Sequence, residues 1–169
     1  MADESSPEYL DGYSIQIARL VIASSYLEHR LNELLQSALA LNDLQTNALV
    51  NPMSSRNKIE LLERLNREHI KGKLYAHWDL KGFCQKAKKQ FAMRNEIVHG
   101  EFGHDKDRKI SIKAYTGKNK LTGAPQRWPG ERLSELATDF MSSVEEADGF
   151  LQRTRELAQE ALVRKAERS

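Results

Sequence analysis

Two long stretches of this chain repeat apolar residues at intervals of three and four, and that period constrains the fold more than any other feature. From Pro7 to Leu41, the residues Tyr13, Ile17, Leu20, Leu27, Leu31, Leu34 and Leu35 fall on one stripe of a helix. From about Glu131 to Ala166, Leu133, Leu136, Phe140, Val144, Ala147, Leu151, Ala158 and Leu162 hold a near-heptad stripe with charges outside it. At 1.5 Å per residue the first helix would be about 50 Å long. Between them lie two shorter candidates. Asn51-Pro52 breaks the first pattern, and Ser54 or Ser55 can cap a second helix with Ile59, Leu62 and Leu65 on one face. Asp79 can cap a third, about Leu80 to Val98, in which Leu80, Cys84, Ala87, Phe91, Arg94 and Val98 recur every three or four residues. Gly100 sits where a helix commonly ends.

The period changes over about 101–128. Ile110, Ile112 and Ala114 alternate with Lys109, Ser111 and Lys113, and Tyr115 leads into Thr116-Gly117-Lys118-Asn119, which predicts a β-hairpin or a short pair of strands. Four amphipathic helices cannot bury their stripes alone. The expected fold is therefore all-α: an antiparallel four-helix-type bundle with a small β-hairpin insertion between the third and fourth helices. The 169 residues suit one domain, 1–169, with a tail frayed over about 164–169.

Charge is close to balanced at +2 but unevenly spread. Residues 1–53 hold two Arg against seven acids, residues 56–132 nineteen Lys and Arg against nine, and residues 133–169 five against eight. A basic middle points to a polyanion partner, and a solvated surface with segregated signs is the competing reading. One cysteine, Cys84, excludes an internal disulfide framework. No apolar run approaches the ~20 residues of a membrane span. The N-terminal MADESSPEYLDG is acidic where a signal peptide would be basic and then apolar, so a cytoplasmic location is expected.

Two Arg–His pairs share a spacing of five, Arg64 with His69 and Arg94 with His99. Arg64 lies off its helix's stripe among Asn66, Arg67 and Glu68, as a solvated helix end would. Arg94 occupies a position within the apolar stripe, where a guanidinium must find a partner, face an interface or snorkel. Asn95 and His99 are four apart and share a helical face.

Arg94-Asn95-Glu96-Ile97-Val98-His99-Gly100 resembles the motif of the HEPN superfamily, an Arg followed four to six residues later by a His at a helix end. The stretches LEHRLNELL at 27–35 and SSRNKIELLERL at 54–65 are similar to that superfamily's helices in position and character. The resemblance covers most of the helical chain and is specific only near Arg94–Gly100. It implies a metal-independent endoribonuclease of toxin–antitoxin or phage-defence type, with no cofactor. It also implies a homodimer that cuts RNA in a cleft at its interface, and an antitoxin or other partner protein. The 2′-hydroxyl attacks the adjacent phosphate, leaving a 2′,3′-cyclic phosphate and a 5′-hydroxyl. The candidate catalytic set is Arg94, Asn95 and His99. His99 would move the proton, Arg94 would grip phosphate oxygens, and Asn95 would orient His99 or the phosphate.

On an ideal helix Arg94 and His99 point about 140° apart, so convergence requires unwinding near Gly100 or a group from a second subunit. The alternative function is a non-catalytic HEPN-like module that binds RNA, a nucleotide or a partner protein. The structural alternative is a helix-end His99 favouring the dipole, with Arg94 in a buried ion pair to Glu28 or Glu33. Among weaker signals, His104-Asp105 with Asp107, and His77 with Asp79, lack a third metal ligand. Cys84 reads as a buried, inert thiol. Trp78, Tyr75, Tyr115 and Trp128 flank basic residues and read as packing before base stacking.

Overall fold

The computed structural model describes residues 7–69, 79–104, 110–113, 115 and 116, 120 and 121, and 126–166. These residues are built mainly on five helices: α1 (Pro7–Leu39), α2 (Asp43–Leu49), α3 (Ser55–His69), α4 (Leu80–His99) and α5 (Gly130–Ala166). The all-α class expected from the periodicity is what the backbone shows. Between α4 and α5 lie short strands: β1 (Glu101–His104), β2 (Ile110–Lys113), β3 (Tyr115–Thr116), β4 (Lys120–Leu121) and β5 (Gln126–Arg127). They form an antiparallel sheet in the order β1-β2-β5 and a separate β3-β4 pair, where the alternation alone points to one hairpin.

Helix ends follow local chemistry. Helix α1 stops two residues before the expected Leu41. Ala40 turns left-handed at φ 52°, its N–H donates to the Ser37 carbonyl, and the Leu41 N–H donates to that of Gln36. That is a Schellman ending with alanine where glycine is usual. Helix α2 is an addition to the helices that the periodicity predicts. Asn42 caps it reciprocally: its side chain accepts from the Gln45 N–H, and its own N–H donates to the Gln45 side chain. Asn42-Asp43-Leu44-Gln45 is a legible capping box. Ser54 caps α3 through the Asn57 N–H, and Asp79 caps α4 through the Gly82 N–H. Helix α5 continues through 164–166, part of the tail expected to fray, where an Arg164–Glu160 pair one turn apart supports it.

Contacts gather the chain into two compact units, residues 1–25 with 89–141 and residues 26–88 with 142–169. In the first, Tyr13, Leu20, Phe91, Ile97, Ile112 and Phe140 are buried. Phe91 meets Phe140 edge-on at 5.3 Å, and Tyr13 meets Phe102 edge-on at 6.4 Å. In the second, Leu27, Leu31, Leu34, Ile59, Leu62, Phe83 and Leu151 are buried. Ion pairs there join the helices in a closed cycle: Glu28 of α1 to Lys58 of α3, Glu63 of α3 to Lys88 of α4, Lys86 of α4 to Glu146 of α5, and Asp148 of α5 to Arg30 of α1. Among the described residues no helix is long and apolar enough to cross a membrane.

Candidate functional site

The candidate motif forms the last turns of α4. Buried Ala87, Gln90, Phe91 and Ile97 surround the direction in which Arg94 leaves the helix, since they stand seven, four, three and three residues from it. Arg94 thus starts from the centre of the apolar stripe. Its side chain is half-buried, and Nε is sealed from solvent without a hydrogen-bond partner among the described residues. The tip escapes: Nη1 donates to Oδ1 of Asn95 at 3.1 Å, on the exposed side of the helix. A long stem crossing apolar surface to place its head in water is snorkelling.

The two carboxylates expected from the sequence as partners for Arg94 pair with other cations. Glu28 holds Lys58 at 2.9 Å, and Glu33 holds Arg30 at 2.7 Å. No ion pair to Arg94 exists among the described residues. Nothing in the sequence pattern singles out Lys58, whose buried side chain (2% exposed) is the cation that claims Glu28.

Asn95 and His99 are both exposed. Helix α4 remains regular through His99, so the backbone does not unwind to bring Arg94 and His99 together. Five residues of helix separate their Cα–Cβ directions by about 140°, whereas Asn95 and His99 lie about 40° apart and one turn along. The structure therefore joins Arg94 to Asn95 and sets His99 on the Asn95 side, without a hydrogen bond from His99 to either. No spacing rule signals an Arg94–Asn95 contact, because adjacent helical residues do not face each other. The length of the arginine side chain makes it possible.

The weaker signals resolve differently. Cys84 is fully buried, and burial, with Glu63 adding to it, pushes its thiol pKa up to about 12. Trp128 is 1% exposed, and the Arg132 guanidinium stacks 4.0 Å from its ring centre, so it is not a free platform for bases. Asp79 serves α4 as its cap. Trp78, Tyr75 and His77 lie outside the described residues, as do Asp105, Asp107 and the side chains of His69, His104 and Tyr115. Among the described residues no group of three His, Cys, Asp or Glu is placed to hold a metal ion.

The chain matches no family model, no curated protein and no solved structure.

Proposed function

We propose that this chain is a metal-independent endoribonuclease of HEPN type, cutting RNA with Arg94, Asn95 and His99. One observation supports this reading most. Arg94 stands in the apolar stripe of α4 with Nε sealed, its tip turned outward and, among the described residues, neither an Nε hydrogen-bond partner nor an ion pair. A buried donor without an acceptor costs about 1–3 kcal/mol. A methionine or leucine at that position would serve the stripe better, so a purely structural role does not account for the arginine. A guanidinium whose tip reaches the surface, on a helix that also carries an exposed imidazole at its end, suits a phosphodiester.

In this reading the 2′-hydroxyl gives its proton to the His99 imidazole and its oxygen attacks phosphorus. The P–O5′ bond breaks, and the 5′-oxygen leaves with a proton from the imidazolium or from solvent. The products are a 2′,3′-cyclic phosphate and a 5′-hydroxyl, and no water or metal is consumed. Arg94 would neutralise charge that builds on the non-bridging oxygens. The same reading takes in the finer architecture expected from the sequence, a four-helix-type bundle with a β-hairpin insertion, to which the cycle of ion pairs lends support. It also takes in a homodimer with the cleft at its interface, a toxin or defence role in the cytoplasm, and an antitoxin or other protein partner.

The test incubates wild type, Arg94→Ala and His99→Ala with a stem–loop RNA in EDTA and monitors both cleavage and binding. Wild type is expected to cut. Each variant is expected to lose at least about 100-fold in rate with helicity kept, the scale of a lost proton-transfer group or phosphate clamp. Binding without cleavage by all three proteins would replace the ribonuclease with the non-catalytic module.

A further inference from the structure

Within the second unit, charge is shared unevenly among the helices. Helix α3 and residues 80–88 of α4 carry seven Lys and Arg against three acids, while the parts of α1 and α5 in the same unit carry five against seven. On α3, Arg56, Glu60, Arg64 and Arg67 follow one another at intervals of four, four and three, so they share one face. That face is opposite buried Lys58, Ile59 and Leu62, and its three arginines are exposed. On α4, exposed Lys81 stands two turns before Lys88, whose ammonium reaches Glu63 of α3 at 2.6 Å. The Glu60 carboxyl is held below its ordinary pKa, first by the Arg56 hydrogen bond, and the charges of Lys88 and Arg64 act on it in the same direction. Cations of both helices therefore converge on one surface.

The carboxylates there do not neutralise it. Glu60 holds Arg56 at 2.8 Å and Glu63 holds Lys88, whereas Arg64, Arg67 and Lys81 have no ion pair among the described residues. Arginines three residues apart repel one another, so the helix itself gains nothing from the pair. None of the exposed large apolar side chains among the described residues lies on α3 or on residues 80–88 of α4. That composition sorts the partners that positive charge can attract. A protein interface depends on buried aromatic or aliphatic anchors, and a helix lying on a membrane inserts apolar side chains. An unpaired strand is held by aromatic rings that stack on its bases, and Phe83, the one Phe, Tyr or Trp in these stretches, is buried. A phosphate backbone needs only charge, and it is densest along a duplex.

Resting on the reading that this chain acts on RNA, we infer that the exposed face of α3, with Lys81 and Lys88 of α4, is an RNA contact that grips the phosphate backbone of a base-paired stem. The contact ignores base sequence and uses none of Arg94, Asn95 and His99. Arg56 to Arg67 spans about 16 Å of helix, long enough to follow several phosphates. Arg64 and Arg67 can fork onto phosphate oxygens with no carboxylate to give up first. Arg56 and Lys88 can exchange theirs readily, because surface pairs of this kind are weak.

The test measures binding by fluorescence anisotropy over roughly 0.05 to 0.3 M salt. Its probe is a stem–loop RNA bearing 2′-O-methyl groups, which has no 2′-hydroxyl to attack and is not consumed. The full-length wild type is compared with Arg64→Gln/Arg67→Gln/Lys81→Gln and with a control of equal net charge on α5, Arg153→Gln/Arg155→Gln/Arg164→Gln. All six side chains are exposed, and circular dichroism checks that the helices persist. The α3–α4 variant is expected to bind at least about tenfold more weakly at roughly 0.1 M salt, with the slope of log affinity against log salt reduced by about two to three. The α5 control is expected to stay within about threefold of wild type, and unpaired uridine RNA to bind wild type at least about fivefold more weakly than the stem. With cleavable RNA, the α3–α4 variant is expected to raise KM while kcat stays within about threefold.

An α3–α4 variant that binds like wild type overturns this contact, and so does an equal loss in the α5 control, which makes net charge the cause. Unpaired RNA that binds as tightly as the stem overturns the duplex preference, and a fall in kcat at saturating RNA overturns the independence from Arg94, Asn95 and His99. Binding to phosphatidylserine vesicles that the α3–α4 variant loses, without RNA binding, gives the surface to lipid instead. A wild type that grips the stem through these residues but cuts no RNA keeps the contact and removes the ribonuclease. A wild type that cuts, beside an α3–α4 variant that binds and cuts equally well, does the reverse.

Discussion

Arg94 is placed where stability would not put it. Replacing it with methionine should remove the unsatisfied Nε, fill the stripe, and raise stability by about 1 kcal/mol while abolishing cleavage, a trade of stability against function. A urea melt and the RNA assay on the same sample check both halves. Lys58 presents the opposite case, a buried cation whose partner Glu28 reaches the surface. Glu28→Gln should cost about 2 kcal/mol in urea unfolding because it strands the charge, whereas Lys58→Met should be neutral or stabilising. Cys84 should resist alkylation in the native protein and react only on unfolding, because its thiol pKa is raised to about 12. Raised above the ordinary value of 9.0, the buried thiol contributes stability that is intact below pH 9 and is lost as pH climbs toward 12. At this scale the sequence shows Arg94 as an anomaly in its stripe but does not show where the guanidinium ends. Side-chain reach does not appear in a spacing rule.

Among the elements, the long periodic helices are legible almost to the residue, because their stripes extend over many turns and outweigh any local ambiguity. Their ends are not. Ala40 stops α1 in the left-handed conformation, and nothing in an alanine announces that. Ala40→Gly should therefore stabilise the protein by about 1 kcal/mol, read as a higher urea midpoint, because glycine enters this region without a Cβ clash. Gly82 carries a subtler consequence. An alanine in a helix is ordinarily worth about 1 kcal/mol over glycine. Here the new methyl would meet the Asp79 carboxylate that caps α4, and dislodging it forfeits a comparable amount. Gly82→Ala should come out near zero in a thermal melt, while Asp79→Ala alone should cost about 1 kcal/mol. Helix α2 escapes a search for periodicity although Asn42 and Gln45 spell its cap, because seven residues are too few to establish a period. The alternation at Ile110–Lys113 foretells strands between α4 and α5, but not their order, since β5 joins β2 from thirteen residues beyond it and pairing at a distance leaves no local mark.

For the molecule as a whole, apolar burial rather than charge should carry stability. The helices of the second unit are stitched by ion pairs whose members are mostly partly exposed. Exposed pairs contribute about 0–1 kcal/mol each, so raising sodium chloride from roughly 0.05 to 1 M should move the melting temperature by less than about 5 °C. Neither unit is continuous in the chain. The first needs residues 1–25 and 89–141, and the second needs 26–88 and 142–169. A polypeptide emerging from the ribosome cannot finish either core from its leading portion. Translation must pass residue 130 before α5 can begin to cover α1 and α4, and it must go further still for the other core. Premature termination anywhere upstream would thus release a fragment with neither interior sealed, and quality-control proteases would meet it as unfolded chain. For a protein whose proposed activity is to cut RNA, incomplete synthesis would then yield nothing able to cut.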